Sequence, residues 1–201
     1  MDVINLADLV KLTAKAWSIP ILAQFGAGVP GRQAPLLKAT GAGRTAFGQS
    51  LTHLQDLGLV ERNPGHGHPM RPEYRLTAAG KRSAGPAQRL WELCDGDPLI
   101  RRQWSVPLLV AAHHPCTFSQ LRRHLSGISD RALSHCLQQL QANMWLVRTV
   151  DTAARPPRPI YQSDGLGSAL AHEGALLLQG WDDIAEQKPQ TGAQPPVARL
   201  Q

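Results

Sequence analysis

The side chains best suited to chemistry lie in one short stretch of the sequence. Arg131, Ser134, His135 and Gln138 recur at spacings of three and four residues, and Ser129 stands just before them. Arginine pairs bidentately with guanine and glutamine with adenine, so this set could read base edges in a DNA groove. The alternative is an ordinary solvated helix face, because the outer side of a surface helix is polar without any function.

A second stretch of similar character lies nearer the amino terminus. Arg44, Thr45, Gln49 and His53 follow Gly43 there and form the corresponding candidate set. Other basic residues would contact phosphates or the minor groove. The alternative for these residues is a flexible basic segment with no specific partner. They are Arg62, His66, His68 and Arg71 in the first half of the chain, and Arg122, Arg148, Arg155 and Arg158 in the second.

Other kinds of chemistry find little support. The runs His-His-Pro-Cys at 113–116 and His-Gly-His at 66–68 invite a metal, but neither has the two ligand pairs of a zinc site. Cys94, Cys116 and Cys136 are odd in number and lie in or beside apolar helical patterns, which argues against a disulfide framework and a redox sensor. We find no phosphate-cradling glycine loop, metalloprotease pair or nucleophile elbow. We therefore expect neither an enzyme nor a metal or cofactor.

The charge distribution favours a polyanionic partner. The 201-residue chain carries a net charge of +6. Residues 99–163 contain eight arginines against two acids, whereas residues 164–186 contain five acids and no Lys or Arg. Concentrated basic charge suits a surface that faces phosphates. No apolar stretch is long enough to span a membrane and no secretory signal is visible, so we expect a cytoplasmic, nucleoid-associated protein.

The chain repeats itself. Trp-Ser-Ile-Pro-Ile-Leu at 17–22 recurs as Trp-Ser-Val-Pro-Leu-Leu at 104–109, 87 positions later. Residues 51–54 recur at 137–140, 86 positions later, and the Leu-Val pair at 59 matches the pair at 146 with a spacing of 87. This alignment places one inserted residue near 143–145. Rare residues that match in the same order indicate a duplication. We expect domains over 1–94 and 95–187 and a disordered tail over 188–201.

The pattern of predicted helices and strands is clearer in the second repeat. Apolar periodicity predicts helices over 104–112 and 118–125, and a Gly-containing turn follows. Ser129 is a suitable N-cap for the next helix, which we call the reader helix. Strand-forming residues at 145–150 and from Ile160 flank a Pro/Arg loop and predict a hairpin, which we call the wing. Asp164 is expected to cap a long closing helix over 165–186.

The first repeat shows the same order. A short helix over 34–38, a reader helix over 44–57 and a wing over 59–77 lead to a closing helix that Thr77 caps. Two helices joined by a tight turn and followed by a hairpin are typical of a winged helix-turn-helix. We therefore predict a mainly α fold with small β-hairpins, of class α+β, built from two tandem winged helix-turn-helix domains.

Several motifs together resemble one family. Trp-Ser-x-Pro-x-Leu, Phe-Ser-Gln-Leu-Arg-Arg, Gly-Ile-Ser-Asp-Arg-Ala-Leu-Ser and a late Trp are similar to HxlR-type regulators of the MarR superfamily. The resemblance implies bacterial origin, binding to operator DNA and assembly through terminal helices. Such proteins usually have one domain per chain and dimerise, so the tandem copy departs from the pattern. The first repeat departs further, with Gly-Ala-Gly at its turn and Gly48 inside its reader helix.

These observations predict a sequence-specific transcription regulator that binds double-stranded operator DNA with two fused units as a pseudo-dimer. The second repeat is expected to contribute more, and the closing helix of the first repeat is expected to lie against the opening helix of the second. A tandem scaffold that binds proteins is the alternative. A base-removing DNA enzyme would need a catalytic acid that we do not find. A small-molecule effector and a homodimer are left open.

Overall fold

The computed structural model describes residues 5–68, 71–178 and 181. The predicted tail over 188–201 and the end of the predicted helix over 165–186 lie outside these residues. The first repeat contains five helices and one antiparallel hairpin among its described residues. They are α1 (Leu6–Leu12), α2 (Ser18–Gly26), α3 (Gln33–Thr40), α4 (Arg44–Asp56), β1 (Val60–His68), β2 (Arg71–Leu76) and α5 (Ala78–Leu93).

The second repeat has the same order with one added short strand. A 3₁₀ helix takes the place of the first helix, and the antiparallel sheet has the order β3-β5-β4. The predicted α+β class with two winged helix-turn-helix units is confirmed. The elements are the 3₁₀ helix (Pro98–Arg101), α6 (Ser105–Ala111), β3 (Cys116–Thr117), α7 (Phe118–His124), α8 (Asp130–Ala142), β4 (Leu146–Asp151), β5 (Arg158–Ser163) and α9 (Leu166–Leu176).

Both reader helices are amphipathic, which fixes the side that each presents to solvent. α4 buries Phe47, Leu51 and Leu54, and α8 buries residues at the corresponding spacing, including Leu133 and Leu140. Burying an apolar side chain contributes about 1.5–3 kcal/mol. Rotation of either helix about its axis would expose several of these side chains, so the polar side must face outward.

Side-chain caps begin the helices where the sequence predicted them. The Ser129 hydroxyl accepts a hydrogen bond from the Ala132 N–H at 3.2 Å, and the Thr77 hydroxyl accepts one from the Gly80 N–H at 3.1 Å. Such caps satisfy N–H groups that have no partner within the first helical turn, and each contributes about 1 kcal/mol. The start of α8 is thereby set at Asp130, two residues before Ala132.

The closing helix of the second repeat begins differently from the prediction. Its N-cap is Gly165, which has a φ of 50° and makes no side-chain cap, so the expected cap by Asp164 is wrong. Two positions later, a Cβ on Gly167 would collide with the Trp145 carbonyl oxygen. The first repeat has the same close approach, between Gly80 and the Leu59 carbonyl. Glycine is therefore required where each closing helix passes its wing.

The inserted residue also lies elsewhere than predicted. The N–H of Leu59 donates to the Leu54 carbonyl and that of Trp145 to the Leu140 carbonyl, each at 2.9 Å, so Leu59 corresponds to Trp145 at a spacing of 86. Beyond the first wing strand the spacing becomes 87. The Leu59 carbonyl accepts a hydrogen bond from the backbone N–H of residue 77, and the Trp145 carbonyl accepts the equivalent bond from that of residue 164. The insertion is therefore in the wing and not at 143–145.

The closing helices of the two repeats pack against each other. Ser83 of α5 donates a hydrogen bond to the Leu177 carbonyl at 2.8 Å, and the Trp181 indole N–H donates to the Ser83 hydroxyl at 3.2 Å. Arg89 of α5 forms an ion pair with Glu173 of α9 at 2.9 Å. The most extensive packing between repeats thus joins α5 to α9, whereas we expected α5 to meet the opening helix.

A second contact joins the opening segments. The Thr13 hydroxyl donates to the Gln103 carbonyl at 2.7 Å, and the Arg101 guanidinium lies 4.3 Å from the centre of the Trp17 ring. Helix α1 packs against α6 beside these residues. At this contact, therefore, the first helix of one repeat lies beside the second helix of the other. No helix in the described part of the chain is long and apolar enough to cross a membrane.

Candidate nucleic-acid interface

The predicted reading residues of the second repeat come together on α8. All five are exposed and, with Ala132, they line a surface groove of about 540 Å³. They lie together because helix positions three and four residues apart share one face. The groove offers hydroxyl, guanidinium, imidazole and amide groups to one ligand. The five are Ser129, Arg131, Ser134, His135 and Gln138.

Two further arginines of the predicted set are paired with carboxylates. Arg122 of α7 lies 2.9 Å from the Asp130 carboxylate, but both side chains are mostly exposed, so the pair contributes at most about 1 kcal/mol. Arg158 of β5 lies 3.4 Å from Asp151 and lines a second groove. Arg123 and Ser119 line the same groove, and neither residue was in the predicted set.

Three arginines of the second repeat keep their charge uncompensated. Arg131 lies on α8, Arg148 on β4 and Arg155 in the wing loop, and all are exposed. Among the residues that the structure describes, no carboxylate lies within ion-pair distance of these three. Unpaired, exposed guanidinium groups on the reader helix and on the wing suit a polyanion.

The candidate residues of the first repeat separate into two groups. Arg44, Thr45 and Gln49 are exposed on α4, and Thr52, which the sequence analysis did not single out, is exposed beside them. The spacing of 45, 49 and 52 was the signal that could have found it. His53 instead lies with its Nε2 2.7 Å from the Lys11 carbonyl oxygen, so its ring is directed toward α1.

The wing of the first repeat is closer to electrical neutrality. Arg62 is exposed on β1 opposite Tyr74, and Arg71 is the first residue of β2. Two ion pairs hold the wing carboxylates Glu61 and Glu73. They join Arg75 to Glu61 at 2.7 Å and Arg32 to Glu73 at 3.9 Å.

The cysteines have protonated thiols rather than reactive thiolates. Burial raises the pKa of Cys94 and Cys116, and it raises that of Cys136 to about 11 although Ser105 and Arg102 act in the opposite direction. Because the thiolate is the nucleophile, such groups are poor redox sensors at neutral pH. Within residues 5–68, 71–178 and 181, no three His, Cys, Asp or Glu side chains are grouped to hold a metal ion.

Two helix-turn-helix units, each with an exposed reader helix and a hairpin, define a DNA-binding protein of the winged-helix class. A family model described as HxlR-like helix-turn-helix matches the chain twice, over residues 12–95 and 99–187. The chain therefore belongs to the HxlR-like helix-turn-helix family as a tandem duplication, and this family is regulatory and not typically enzymatic. No curated protein and no solved structure matches the chain.

Proposed function

We propose that this protein is a sequence-specific transcription regulator in which both units of one chain act together as a pseudo-dimer on an operator. The contact between α5 and α9 carries the proposal. It places Ser83, Arg89 and the closing helix of one unit against the closing helix of the other. The family resemblance implies assembly through terminal helices, so the chain supplies internally the contact that single-unit relatives make between two chains.

We propose further that the second unit supplies most of the affinity. The guanidinium that lines the α8 groove has no carboxylate partner among the described residues, and neither do Arg148 and Arg155 of the wing. Arg131 supplies bidentate donors to guanine, while Arg148 and Arg155 of the wing neutralise phosphates. In the first repeat, Arg75 of the wing and Arg32, which lies beside it, are paired with the wing carboxylates Glu61 and Glu73.

Light scattering on the free protein and on its complex with one operator tests the pseudo-dimer. We expect a monomer in solution and one chain per operator. The contact Ser83–Leu177 would then be intramolecular, and particle mass would not depend on concentration. A stable two-chain particle at low concentration would overturn the pseudo-dimer and favour a homodimer with four reader helices.

A gel-shift comparison tests DNA binding and the ranking of the units. Arg131→Ala should weaken specific binding by about 1–3 kcal/mol, and Arg44→Ala should have the smaller effect. Loss of binding in Arg44→Ala alone would reverse the ranking. No DNA binding even at low salt would favour the alternative of a tandem winged-helix scaffold for proteins, which needs no phosphate contacts.

A further inference from the structure

The two reader helices can be aligned position by position from their backbone geometry. Each is 13 residues long, and their N-caps are Gly43 and Ser129. Each is followed by a residue in the left-handed conformation, Gly58 with a φ of 70° and Met144 with a φ of 57°. The spacing is 86 at both ends, so it fixes which residues occupy equivalent positions on the two reading faces.

Equivalent positions carry different chemistry. The face of α8 contains a guanidinium and an imidazole, whereas the face of α4 contains only uncharged groups. Both faces are accessible, since every one of these residues except the partly exposed Gly48 is exposed. The equivalent pairs are Thr45 and Arg131, Gly48 and Ser134, Gln49 and His135, and Thr52 and Gln138.

The face of α8 is suited to a guanine. Arg131 is exposed, lines the groove and has no carboxylate partner among the described residues, so its donors are available. Guanine offers two acceptors, O6 and N7, in the major groove, and the arginine fork matches their spacing. No other base pair presents two acceptors of this kind on one base.

The face of α4 is suited to A·T base pairs. The Gln49 amide can pair bidentately with adenine, which presents one donor and one acceptor in the major groove. The methyl groups of Thr45 and Thr52 can contact the thymine methyl group. Nothing at the positions equivalent to Arg131 and His135 supplies a charged donor for guanine.

Arg44 does not restore a guanine reader to α4. Its equivalent in the second repeat is Asp130, whose carboxylate turns toward Arg122 at 2.9 Å and does not line the α8 groove. The first position of the reader helix therefore lies beside the preceding helix. We expect Arg44 to contact a phosphate, because phosphate contacts position the helix and do not select bases.

We infer that the two units read chemically different half-sites, a guanine-containing one through Arg131 and an A·T-rich one through Gln49, Thr45 and Thr52. The operator then lacks two-fold symmetry, and the chain binds it in one orientation. This inference rests on the DNA-binding function proposed above. It names the sequence class of the partner and the residues that select it.

Selection of bound duplexes from a random library, with the full chain, tests the inference. The wild-type protein should enrich sites with guanine in one half and A·T pairs in the other. Replacement of the selected G·C pair by A·T should weaken binding about 5- to 150-fold. The corresponding change from A·T to G·C in the other half should weaken it as well.

Two matched variants exchange the reading chemistry. The double variant Thr45→Arg with Gln49→His should enrich symmetric sites that contain guanine in both halves. The reverse variant Arg131→Thr with His135→Gln should enrich sites that are A·T-rich in both halves. All four positions are exposed, so thermal unfolding should match that of the wild type.

The outcomes separate the inference from the proposed function. Symmetric guanine-containing sites for the wild type, or an unchanged site for the Thr45→Arg, Gln49→His variant, would overturn the inference and leave the regulator intact. No enrichment by the wild type would overturn the proposed function and the inference with it. If one double variant does not fold, the selected site of the other decides.

Discussion

The hydroxyl group of Ser83 donates a hydrogen bond to the carbonyl oxygen of Leu177, and the two residues belong to different repeats. Ser83 is fully buried, and its oxygen also accepts a hydrogen bond from the Trp181 indole N–H. One small side chain thus serves as donor and acceptor across the contact between repeats. A buried polar group that loses its partner costs more than the hydrogen bond itself contributes.

Replacement of this hydroxyl should destabilise the protein. Ser83→Ala leaves the Leu177 carbonyl and the Trp181 indole N–H without their partner across the contact. We therefore expect the free energy of unfolding to fall by about 1–3 kcal/mol. Urea unfolding followed by tryptophan fluorescence measures it. Ser18→Ala is the control, because that buried hydroxyl has no hydrogen-bond partner among the described residues. Equal losses in both variants would show that the hydrogen bonds of Ser83 across the contact contribute no net stability.

Replacement of a glycine in the first reader helix should stabilise the protein. Gly48 lies in the middle of α4, and a Cβ added there would meet nothing within 4 Å. Glycine in a helix interior costs about 0.5–1 kcal/mol relative to alanine, so Gly48→Ala should raise the free energy of unfolding by that amount. Thermal unfolding checks it. Gly80→Ala is the opposite case and should destabilise, because its Cβ collides with the Leu59 carbonyl.

The sequence predicted the elements well because their signals are local. Ser129 and Thr77 cap the helices that they were expected to cap, and the apolar spacing in α4 and α8 gives the buried faces. The position of the inserted residue was predicted wrongly because it was inferred from residue types alone. Met144 occupies the left-handed position that Gly58 occupies in the first repeat, so an equivalent residue was taken for an insertion.

The site was less predictable because it depends on contacts that are distant in sequence. His53 follows the reading-face pattern, but its ring meets the Lys11 carbonyl, 42 residues away. Likewise, no periodicity shows that Glu61 pairs with Arg75 and Glu73 with Arg32. Thr52 was missed because the candidate set ended on its neighbour His53, although Thr52 is the exposed one of the two.

The second wing should act on DNA through phosphates. Replacement of both Arg155 and Arg158 by Ala should weaken binding to all sequences alike and flatten the salt dependence by about one unit per lost phosphate contact. Affinity measured at several salt concentrations gives the slope. Lys11→Ala, which removes one positive charge where the double variant removes two, is the control outside the wing, because its ammonium group already pairs with Asp8 at 2.7 Å. An unchanged slope in the double variant would exclude the wing from the interface.

The buried thiol of Cys136 should make stability fall in alkaline solution. An unfolded cysteine ionises near pH 8.5, whereas burial raises the pKa of Cys136 to about 11 in the folded protein. The unfolded chain therefore binds fewer protons between about pH 8.5 and 11, so the free energy of unfolding decreases across that range and is unaffected by this group below it. Urea midpoints at several pH values measure the decrease.

Cys136→Ser isolates this contribution from that of the other groups that titrate in alkali. Serine occupies the equivalent position of the first repeat, where the Ser50 hydroxyl accepts a hydrogen bond from the backbone N–H of Trp17 at 3.3 Å. The variant should lose less stability than the wild type between about pH 8.5 and 11. Parallel pH curves for the two proteins would contradict the assignment.

The ion pair between Arg89 and Glu173 has no mirror image, because the residues at the equivalent positions are Leu176 and Pro86. In an assembly of two identical chains, every substitution is made twice and must suit both copies. Here a substitution is made once, so each unit accumulates changes separately from the other. If the protein has the proposed function, a mutation in one half-site of a promoter can be matched by substitutions in one unit alone. The other unit then still recognises the other half-site.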